Sequence, residues 1–381
     1  MLAAAETKTI VTRGGVRLHG RVGIDGAKNA ALPAMAAALL TEEECLLDNV
    51  PVLEDVLVMI ELLRRLGAEV EFDQPNHRLR ICAAPVHDHN APPELVERMR
   101  ASFLVSGPLL SRLGRAGSTA PGGCKLGTRP VDVDLRPAFA EHDRPPTDLA
   151  DGDVGVVAGR RQEAAEPVAE RAAGTPHIRV QGVDRLRGYR AAILPDRIEA
   201  GTIAIAAAIS NGEVVLDHVS EPDMLPLTSK LREAGAEVWW SGDSMLVRGS
   251  GRLEATEIQA LPFPGFPTDL QAAFAVLMTQ AHGTSQIYER VFNDRLRYVE
   301  ELCRMGADIC LKDKQHAVIE GPTALHGSVV SALDIRSGAS LVLAGLVAEG
   351  ETQILETQHL RRGYEDIVGK FARLGADISY V

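Results

Sequence analysis

The chain has 381 residues, which is too long for one ordinary hydrophobic core, so two domains are expected. Its 45% hydrophobic and 24% charged residues are typical of a globular protein. A net charge of −12 and an aromatic content of 4% disfavour nucleic-acid binding, because phosphate backbones need basic surfaces and bases stack on aromatic rings.

The cysteines and the apolar runs indicate the cellular compartment in which the protein is expected. No apolar stretch follows a basic start at the beginning of the chain, so no secretory signal is expected. The longest apolar run, Ala30–Leu40, is too short to cross a bilayer. The five cysteines are scattered without a C-x-x-C pair, which disfavours a disulfide framework and a zinc site. These features predict a cytoplasmic protein with no metal, membrane or nucleic-acid partner.

Four segments share one ending, in which an amphipathic helix is followed by glycine, alanine and a strand-like run. These endings are Leu63–Val70, Leu231–Val238, Leu302–Ile309 and Phe371–Ile378. Glycine at this place is typical of a helix C-cap. A helix of small residues and then a strand precede each ending. The small helices are predicted at Lys28–Leu40, Gly201–Ser210, Asp269–Gln280 and Gly338–Ala348, and the strands at Glu44–Asp48, Glu213–Asp217, Thr284–Glu289 and Glu351–Glu356. Because such helices pack closely, we place them inside with sheets around them.

The repeat spacing indicates that part of the first half is missing. Gly235, Gly306 and Gly375 are about 70 residues apart, whereas the distance from Gly67 to Gly235 is about 40 residues short of three such units. Residues 136–175, rich in Pro, Asp, Glu and Arg, show no Gly-Ala ending. We expect this segment to be poorly packed or mobile, since a truncated repeat leaves an apolar edge without its neighbour.

A fifth copy of the unit begins at Met99–Leu110 and continues into a short strand near Gly117–Ala120. Two further strand-like pieces, Val154–Val157 and His177–Val180, interrupt or follow the degenerate segment. The sixth unit therefore lacks its front half.

The segment from Pro121 to Pro130 is predicted to be a loop, since it combines glycines and prolines and has no apolar period. Cys124 lies beside Lys125 and five residues before Arg129. Cations near a thiol favour the thiolate, so Cys124 is a candidate acid or nucleophile. An incidental cysteine in a surface loop is the alternative, and the loop alone does not decide between them.

Several of the small-residue helices begin with polar residues. A helix N-terminus offers free N–H groups and a partial positive charge, so anions dock there. The segments concerned are 26–29, 100–102, 195–197, 267–269 and 336–337. Ordinary capping explains any one of them. Together, with lysine or arginine recurring, they suggest a site for a multiply charged phosphate-carboxylate, with Asp196 and Asp269 as candidate bases.

Motifs in these segments, and others along the chain, resemble a known family. They are Gly23–Pro33, Met99–Ser102, Pro121–Asp132, Leu194–Thr202, Phe266–Gln271, Val291–Arg295, Asp334–Arg336 and His359–Glu365, and the matching spacing covers residues 15–133 and 176–381. They resemble the motifs of UDP-N-acetylglucosamine 1-carboxyvinyltransferases, which are enolpyruvyl transferases. The resemblance implies a two-domain inside-out α/β barrel of repeated helix-strand units, with one repeat truncated. The first domain is expected at 28–195, with a lid loop at 121–130 and the degenerate segment at 136–175. The second is expected at 1–27 plus 196–381.

The resemblance also implies a reaction. Phosphoenolpyruvate gives its enolpyruvyl group to the 3-hydroxyl of UDP-N-acetylglucosamine by addition and elimination, which releases phosphate and is the first committed step of peptidoglycan synthesis. Asp269 takes the hydroxyl proton, and Cys124 is the thiol associated with protonating the vinyl carbon and with covalent attack by fosfomycin. The partners are these two small molecules, no metal or organic cofactor is implied, and the oligomeric state is not predicted.

The remaining site residues are implied in two groups. Those that would hold the phosphate and carboxylate of phosphoenolpyruvate are Lys28, Arg129, Arg336 and Arg362, of which Lys28 and Arg362 are counted with Cys124 and Asp269 as catalytic. Those that would contact the nucleotide sugar are Asn29, Arg100, Asp196, Thr268, Val291 and Arg295, together with Arg129, Pro130, Val131 and Asp132.

One half of the implied site is incomplete. The family's helix N-terminus that grips the diphosphate has no counterpart in residues 136–175, and Asp134 stands where the family usually has histidine. Weakened nucleotide binding is therefore expected. Two alternatives stay open: an enolpyruvyl transferase that acts on a different nucleotide or alcohol, and a catalytically impaired relative. Because every candidate phosphoenolpyruvate ligand is present, catalysis is favoured over a pure binding role.

Overall fold

The structure is a computed structural model that describes residues 8–119, 122, 153–157, 169–171, 178–180 and 185–381. Its helices are α1 (Lys28–Ala37), α2 (Glu54–Arg65), α3 (Pro93–Val96), α4 (Ser106–Leu113), α5 (Arg197–Ile209), α6 (Glu221–Glu233), α7 (Thr268–Thr279), α8 (Val299–Arg304), α9 (Ile335–Val347) and α10 (Ile367–Arg373). Its strands are β1 (Ile10–Arg13), β2 (His19–Gly23), β3 (Cys45–Asp48), β4 (Glu69–Asp73), β5 (Arg78–Cys82), β6 (Arg115–Thr119), β7 (Asp153–Val157), β8 (Ala169–Arg171), β9 (Ile178–Val180), β10 (Arg190–Ala192), β11 (Glu213–Asp217), β12 (Glu237–Ser241), β13 (Ser244–Arg248), β14 (Leu253–Glu254), β15 (Glu257–Ala260), β16 (Ala281–Glu289), β17 (Asp308–Leu311), β18 (His316–Gly321), β19 (Val329–Ser331), β20 (Glu351–Leu355) and β21 (Asp377–Tyr380).

These residues form two compact units. The larger unit combines 8–27 with 194–381, and the other consists of the described residues between 28 and 193. The domain boundaries expected from the resemblance, 28–195 and 1–27 plus 196–381, stay a prediction.

The larger unit is built around three buried helices, α5, α7 and α9, which pack against one another. Their small and aliphatic residues are buried along almost the whole length of each helix. Close packing explains the small residues: a Cβ on Gly201 would lie only 2.4 Å from Cδ1 of Leu270. The prediction that the alanine- and glycine-rich helices lie inside is therefore confirmed for this unit.

Three sheets belong to this unit, with strand orders β19-β20-β1-β21, β12-β13-β11-β2 and β14-β16-β18-β17, the last also pairing β15 with β16. Strands from the start of the chain complete two of them. β1 lies between β20 and β21 and is antiparallel to both, with Ile10 opposite Ile354 and Tyr380. β2 lies parallel to β11 at a sheet edge.

The smaller unit has one four-stranded sheet of order β10-β3-β5-β4. Helix α1 packs against α2 and against a 3₁₀ helix at Arg100–Val105. Two strand pairs, β6 with β7 and β8 with β9, are antiparallel. The segment Met99–Leu110, where the fifth copy of the unit was predicted to begin, contains this 3₁₀ helix and the first part of α4.

The four repeat glycines predicted as helix C-caps do adopt the left-handed conformation that favours glycine, with φ of 102° at Gly67, 94° at Gly235, 95° at Gly306 and 97° at Gly375.

The lid loop 121–130 lies outside the described residues apart from Gly122, whose N–H donates to the carbonyl of Val96 at 3.1 Å. Most of the segment 136–175 also lies outside them, so its predicted mobility stays a prediction.

Candidate active site

Each of the three buried helices of the larger unit has a charged candidate residue at its N-terminus. Asp196 is the N-cap of α5, and its Oδ1 accepts from the backbone N–H of Ile198 at 2.8 Å and of Glu199 at 3.3 Å. Asp269 is the second residue of α7, and Arg336 is the second residue of α9. Asp196 thus performs the ordinary capping role, whereas the other two side chains are free to make tertiary contacts.

Asp269 is held by two arginines. Its Oδ1 accepts from Nη2 of Arg295 at 2.7 Å, and its Oδ2 accepts from Nη2 of Arg336 at 3.0 Å. The arginine side chains are only 3% and 9% exposed, whereas that of Asp269 is 27% exposed. Buried charges need partners, so the carboxylate compensates both guanidinium groups. It also keeps an exposed edge that a ligand can reach.

The same contacts set the protonation states. Burial alone would raise the pKa of Asp269, but Arg336 and Arg295 outweigh it and hold the pKa well below its usual range. Burial works against the charge of Arg336, yet Asp269, Tyr364 and Asp196 outweigh it and raise the pKa of that guanidinium. The site therefore combines an ionised carboxylate with permanently charged arginines.

Arg336 has hydrogen-bonding capacity to spare. Its guanidinium carbon lies 5.5 Å from the ring centroid of Tyr364, whose hydroxyl is 2.9 Å from Oγ1 of Thr202. Its Nη1 is buried and has no hydrogen-bond partner among the described residues. A Cβ added to Gly363 would lie 3.6 Å from this Nη1. The backbone of Gly363, the residue that follows Arg362, is therefore close to the Arg336 guanidinium. A buried guanidinium nitrogen without an acceptor suits an anionic ligand.

Thr268 and Val291 both contact one buried carboxylate, that of Glu289. Glu289, the last residue of β16, is fully buried. Its Oε2 accepts from Oγ1 of Thr268 at 2.6 Å, and its Oε1 accepts from the backbone N–H of Val291 at 2.7 Å and of Phe292 at 3.0 Å. The start of α7 and the segment leading to Arg295 are therefore tied to one side chain.

The smaller unit carries three of the predicted site residues. Nζ of Lys28, at the start of α1, donates to Oδ2 of Asp55 at 2.9 Å, and both side chains are buried. Asn29 follows Lys28 and is exposed. Arg100 is half-buried at the start of the 3₁₀ helix against which α1 packs.

The predicted site residues thus fall into three groups. Those in the larger unit are Asp196, Thr268, Asp269, Val291, Arg295, Arg336 and Arg362; those in the smaller unit are Lys28, Asn29 and Arg100; and those outside the described residues are Cys124, Arg129, Pro130, Val131 and Asp132.

Sequence reasoning missed Asp55, Glu289 and the contact role of Tyr364. Asp55 looks like an ordinary acidic residue in the first turn of a helix, where it complements the helix dipole. Glu289 is the last residue of β16 and lies just before the motif that begins at Val291, and this position was an available signal.

Within the ranges that the structure describes, no group of three or more His, Cys, Asp or Glu side chains could hold a metal ion. No helix in the same ranges is long and apolar enough to span a bilayer.

Comparison with known proteins places the chain in a family. The family model described as EPSP synthase (3-phosphoshikimate 1-carboxyvinyltransferase) matches residues 12–138 and 168–371. The UDP-N-acetylglucosamine 1-carboxyvinyltransferase of Finegoldia magna is 39% identical over 420 residues, which cover 98% of this chain and 99% of that protein. That of Sorangium cellulosum is 42% identical over 418 residues, covering 98% of each. The chain belongs to the UDP-N-acetylglucosamine 1-carboxyvinyltransferase family.

Solved structures of other enolpyruvyl transferases share the fold. The enolpyruvyl transferase NikO from Streptomyces tendae superposes with a TM-score of 0.85 at 23% identity, covering 98% of this chain and 99% of that one. The EPSP synthase from Acinetobacter baumannii gives a TM-score of 0.71 at 16% identity, with the same coverage. The predicted enolpyruvyl transferase fold is therefore confirmed.

The relatives from Finegoldia magna and Sorangium cellulosum carry residues that this chain lacks, since their alignments of 420 and 418 residues are longer than its 381 residues. The family model leaves 139–167 unmatched, and these residues lie inside the segment 136–175 that the repeat spacing identified as degenerate.

Proposed function

We infer that this protein transfers the enolpyruvyl group of phosphoenolpyruvate to the 3-hydroxyl of UDP-N-acetylglucosamine with release of phosphate, the first committed step of peptidoglycan synthesis. The observation that carries this conclusion is a sequence identity of 39% and 42% to two UDP-N-acetylglucosamine 1-carboxyvinyltransferases, over 98% of the chain. The geometry around Asp269 supports this function. Transfer to an alcohol needs a base that removes the hydroxyl proton and, beside it, hydrogen-bond donors that bind the anionic substrate.

Asp269 is proposed as the base that takes the proton of the sugar hydroxyl. Arg336 and Arg295 keep it ionised, and its exposed edge is accessible. A carboxylate held this strongly is a weak base while both arginines remain in contact with it. A ligand anion that draws Arg336 toward itself would raise the pKa of Asp269 and so strengthen the base.

Arg336 and Arg362 are proposed to bind the anionic groups of phosphoenolpyruvate. Support comes from the unused Nη1 of Arg336 and from the position of residue 363 against it. Planar guanidinium groups suit carboxylate and phosphate because they donate two parallel hydrogen bonds. Lys28 and Arg129 are proposed for the same ligand on the basis of the resemblance.

The nucleotide sugar is proposed to contact Asn29, Arg100, Asp196, Thr268, Val291, Arg295 and the segment 129–132. Thr268 and Val291 both donate to the buried carboxylate of Glu289, which supports a binding surface that is already ordered before the nucleotide sugar arrives. Cys124 is proposed as the reactive thiol, which rests on its motif alone.

The test is phosphate release from phosphoenolpyruvate with a panel of acceptors. The panel contains UDP-N-acetylglucosamine, UDP-glucose, UDP and free N-acetylglucosamine, and mass spectrometry identifies the enolpyruvyl ether. Release only with UDP-N-acetylglucosamine is expected. Turnover with another acceptor and none with UDP-N-acetylglucosamine would overturn the assignment.

A further inference from the structure

Glu289 closes a ring of contacts around the proposed base. Thr268, which donates to Oε2 of Glu289 at 2.6 Å, immediately precedes Asp269. Phe292, whose N–H donates to Oε1 at 3.0 Å, lies three residues before Arg295. Arg295 then donates to Asp269 at 2.7 Å. Both partners of the Asp269–Arg295 pair are thereby fixed, through short pieces of backbone, to the two oxygens of one carboxylate.

The surroundings of Glu289 indicate that its role is geometric. The side chain is fully buried and so does not meet substrate directly. Among its described contacts are one hydroxyl and two backbone amides, which together use both carboxyl oxygens. The guanidinium carbon of Arg295 also lies 5.5 Å from the ring centroid of Phe292, so a shift of the 291–292 backbone would move the arginine as well.

We propose that Glu289 is a positioning residue for enolpyruvyl transfer, which holds the start of α7 and the 291–295 segment so that Asp269 faces the acceptor hydroxyl. The proposal rests on the proposed function. A displacement of about 1 Å at a reacting group lowers the rate about 100-fold, so a rigid buried support has a measurable effect.

Two substitutions separate geometry from charge. In Glu289→Gln, the amide oxygen can accept from both backbone amides while its NH₂ group faces the hydroxyl of Thr268, which can accept in turn. In Glu289→Ala all three contacts are lost. We expect kcat to fall about 100-fold in the alanine variant, with a raised KM for the nucleotide sugar. The glutamine variant should stay within about tenfold of the wild type.

Two controls account for burial and stability. Tyr298→Phe removes a buried hydroxyl that has no hydrogen-bond partner among the described residues and lies within electrostatic range of Glu289. Its kinetics should match the wild type. Met278→Ala opens a cavity at the far end of α7, where Met278 is fully buried, and should lower the melting temperature without changing kcat at a temperature where it stays folded.

Hydrogen exchange gives a readout that does not depend on turnover. The amides of Val291 and Phe292 should exchange slowly in the wild type and in Glu289→Gln, and quickly in Glu289→Ala. If the alanine variant does not fold, Thr268→Val and Thr268→Ser replace it, since only serine retains the hydroxyl that donates to Glu289. Valine should then lower kcat and serine should restore it.

The outcomes are distinguishable. Wild-type kinetics in Glu289→Ala, or equal losses in the alanine and glutamine variants, would overturn the positioning role. Unchanged exchange of the two amides in Glu289→Ala would also overturn it. A wild-type protein that releases no phosphate with any acceptor would refute the proposed function instead, while the exchange result would still show whether Glu289 holds the segment.

Discussion

At the scale of single residues, the most informative feature is a carboxylate with an arginine on each oxygen. Arg295 and Arg336 contact opposite oxygens of Asp269 at 2.7 and 3.0 Å. Because their charges hold its pKa well below the usual range, Asp269 is ionised at any pH at which the enzyme would be assayed. In the free enzyme, which governs kcat/KM, a loss in mild acid would therefore have to come from another group.

Asp269→Asn should remove turnover and leave ligand binding largely intact. The amide keeps the shape of the side chain but cannot take a proton, and loss of a general base lowers rates about 10²–10⁴-fold. Phosphate release measures turnover, and calorimetry measures phosphoenolpyruvate binding. Asp243→Asn, at an exposed carboxylate paired with His218, is the matched control and should behave as the wild type. Near-normal turnover by Asp269→Asn would move the base elsewhere, with Asp196 the next candidate.

Cys124 should be the thiol that fosfomycin modifies. The described cysteines serve as internal controls: Cys45 and Cys82 are not exposed, whereas Cys303 and Cys310 are. Burial raises the pKa of Cys45 and of Cys303, so both have less thiolate than an ordinary cysteine. Peptide mass mapping should place the adduct on the peptide that contains Cys124. An adduct on Cys303 or Cys310 instead would contradict the prediction.

At the scale of secondary-structure elements, local patterns were sufficient for much of the fold. The predicted strand Glu213–Asp217 matches β11, and the helix predicted at Asp269–Gln280 differs from α7 by one residue at each end. What the sequence did not reveal is that each of β4, β12 and β17 forms an antiparallel pair with the strand that follows it. The second strands are as long as the first ones or longer, but their pairing depends on tertiary packing that a local pattern does not contain.

The pairings within the site were equally hidden. The motif containing Asp269 and that containing Arg336 were both recognised, but the ion pair between them joins residues 67 positions apart. The pairing of Lys28 with Asp55 likewise follows from the packing of α1 on α2. Motifs identified the residue types, whereas only the folded chain shows which of them touch.

A buried ionic cluster joins three elements of the larger unit. Nζ of Lys370, in α10, donates to Oδ2 of Asp25 and to Oε1 of Glu199, both at 2.7 Å. The N–H of Asp25 donates to Oε2 of Glu199 at 2.9 Å. Burial raises the pKa of Glu199 to about 7, since the repulsion of Asp25 adds to burial and Lys370 compensates only partly. The cluster is therefore sensitive to pH in a range where most carboxylates are not.

The stability of the wild type relative to Glu199→Gln should decrease as pH rises from about 4.5 to about 7. In this window the folded state holds a proton on Glu199 that the unfolded state has lost, so the contribution of Glu199 is greatest below the window. The change in the free energy of unfolding is on the order of 3 kcal/mol. Urea titrations of both proteins across the window measure it. Glu254→Gln, at an exposed carboxylate beside Arg252, is the control and should show no such decrease. A difference between wild type and Glu199→Gln that does not vary with pH would contradict the prediction.

At the scale of the whole molecule, the shortened segment predicts unequal binding of the two substrates. The family model leaves 139–167 unmatched. The resemblance predicts that 136–175 holds no counterpart of the helix N-terminus that grips the diphosphate. Each charge-assisted hydrogen bond contributes about 1.5–3 kcal/mol, so losing two would weaken nucleotide-sugar binding about 100-fold or more. Phosphoenolpyruvate binding through Arg336 and Arg362 should be unaffected.

Calorimetry with each ligand tests this asymmetry. The 1-carboxyvinyltransferase of Sorangium cellulosum, at 42% identity, is the reference. Phosphoenolpyruvate should bind both proteins with similar affinity, and UDP-N-acetylglucosamine should bind this one more weakly. Equal affinity for the nucleotide sugar would mean that the shortened segment rebuilds the diphosphate site.

The place of β1 has a consequence for how the protein is made. This strand lies between β20 and β21, and the backbone groups of Thr9 and Val381 exchange hydrogen bonds of 3.0 and 2.8 Å. During translation the nascent chain releases residues 28–193 before either partner of β1 exists, and compact units generally fold as they emerge. Residues 10–13 therefore leave the ribosome long before residues 351–380 and wait unpaired until those have been synthesised.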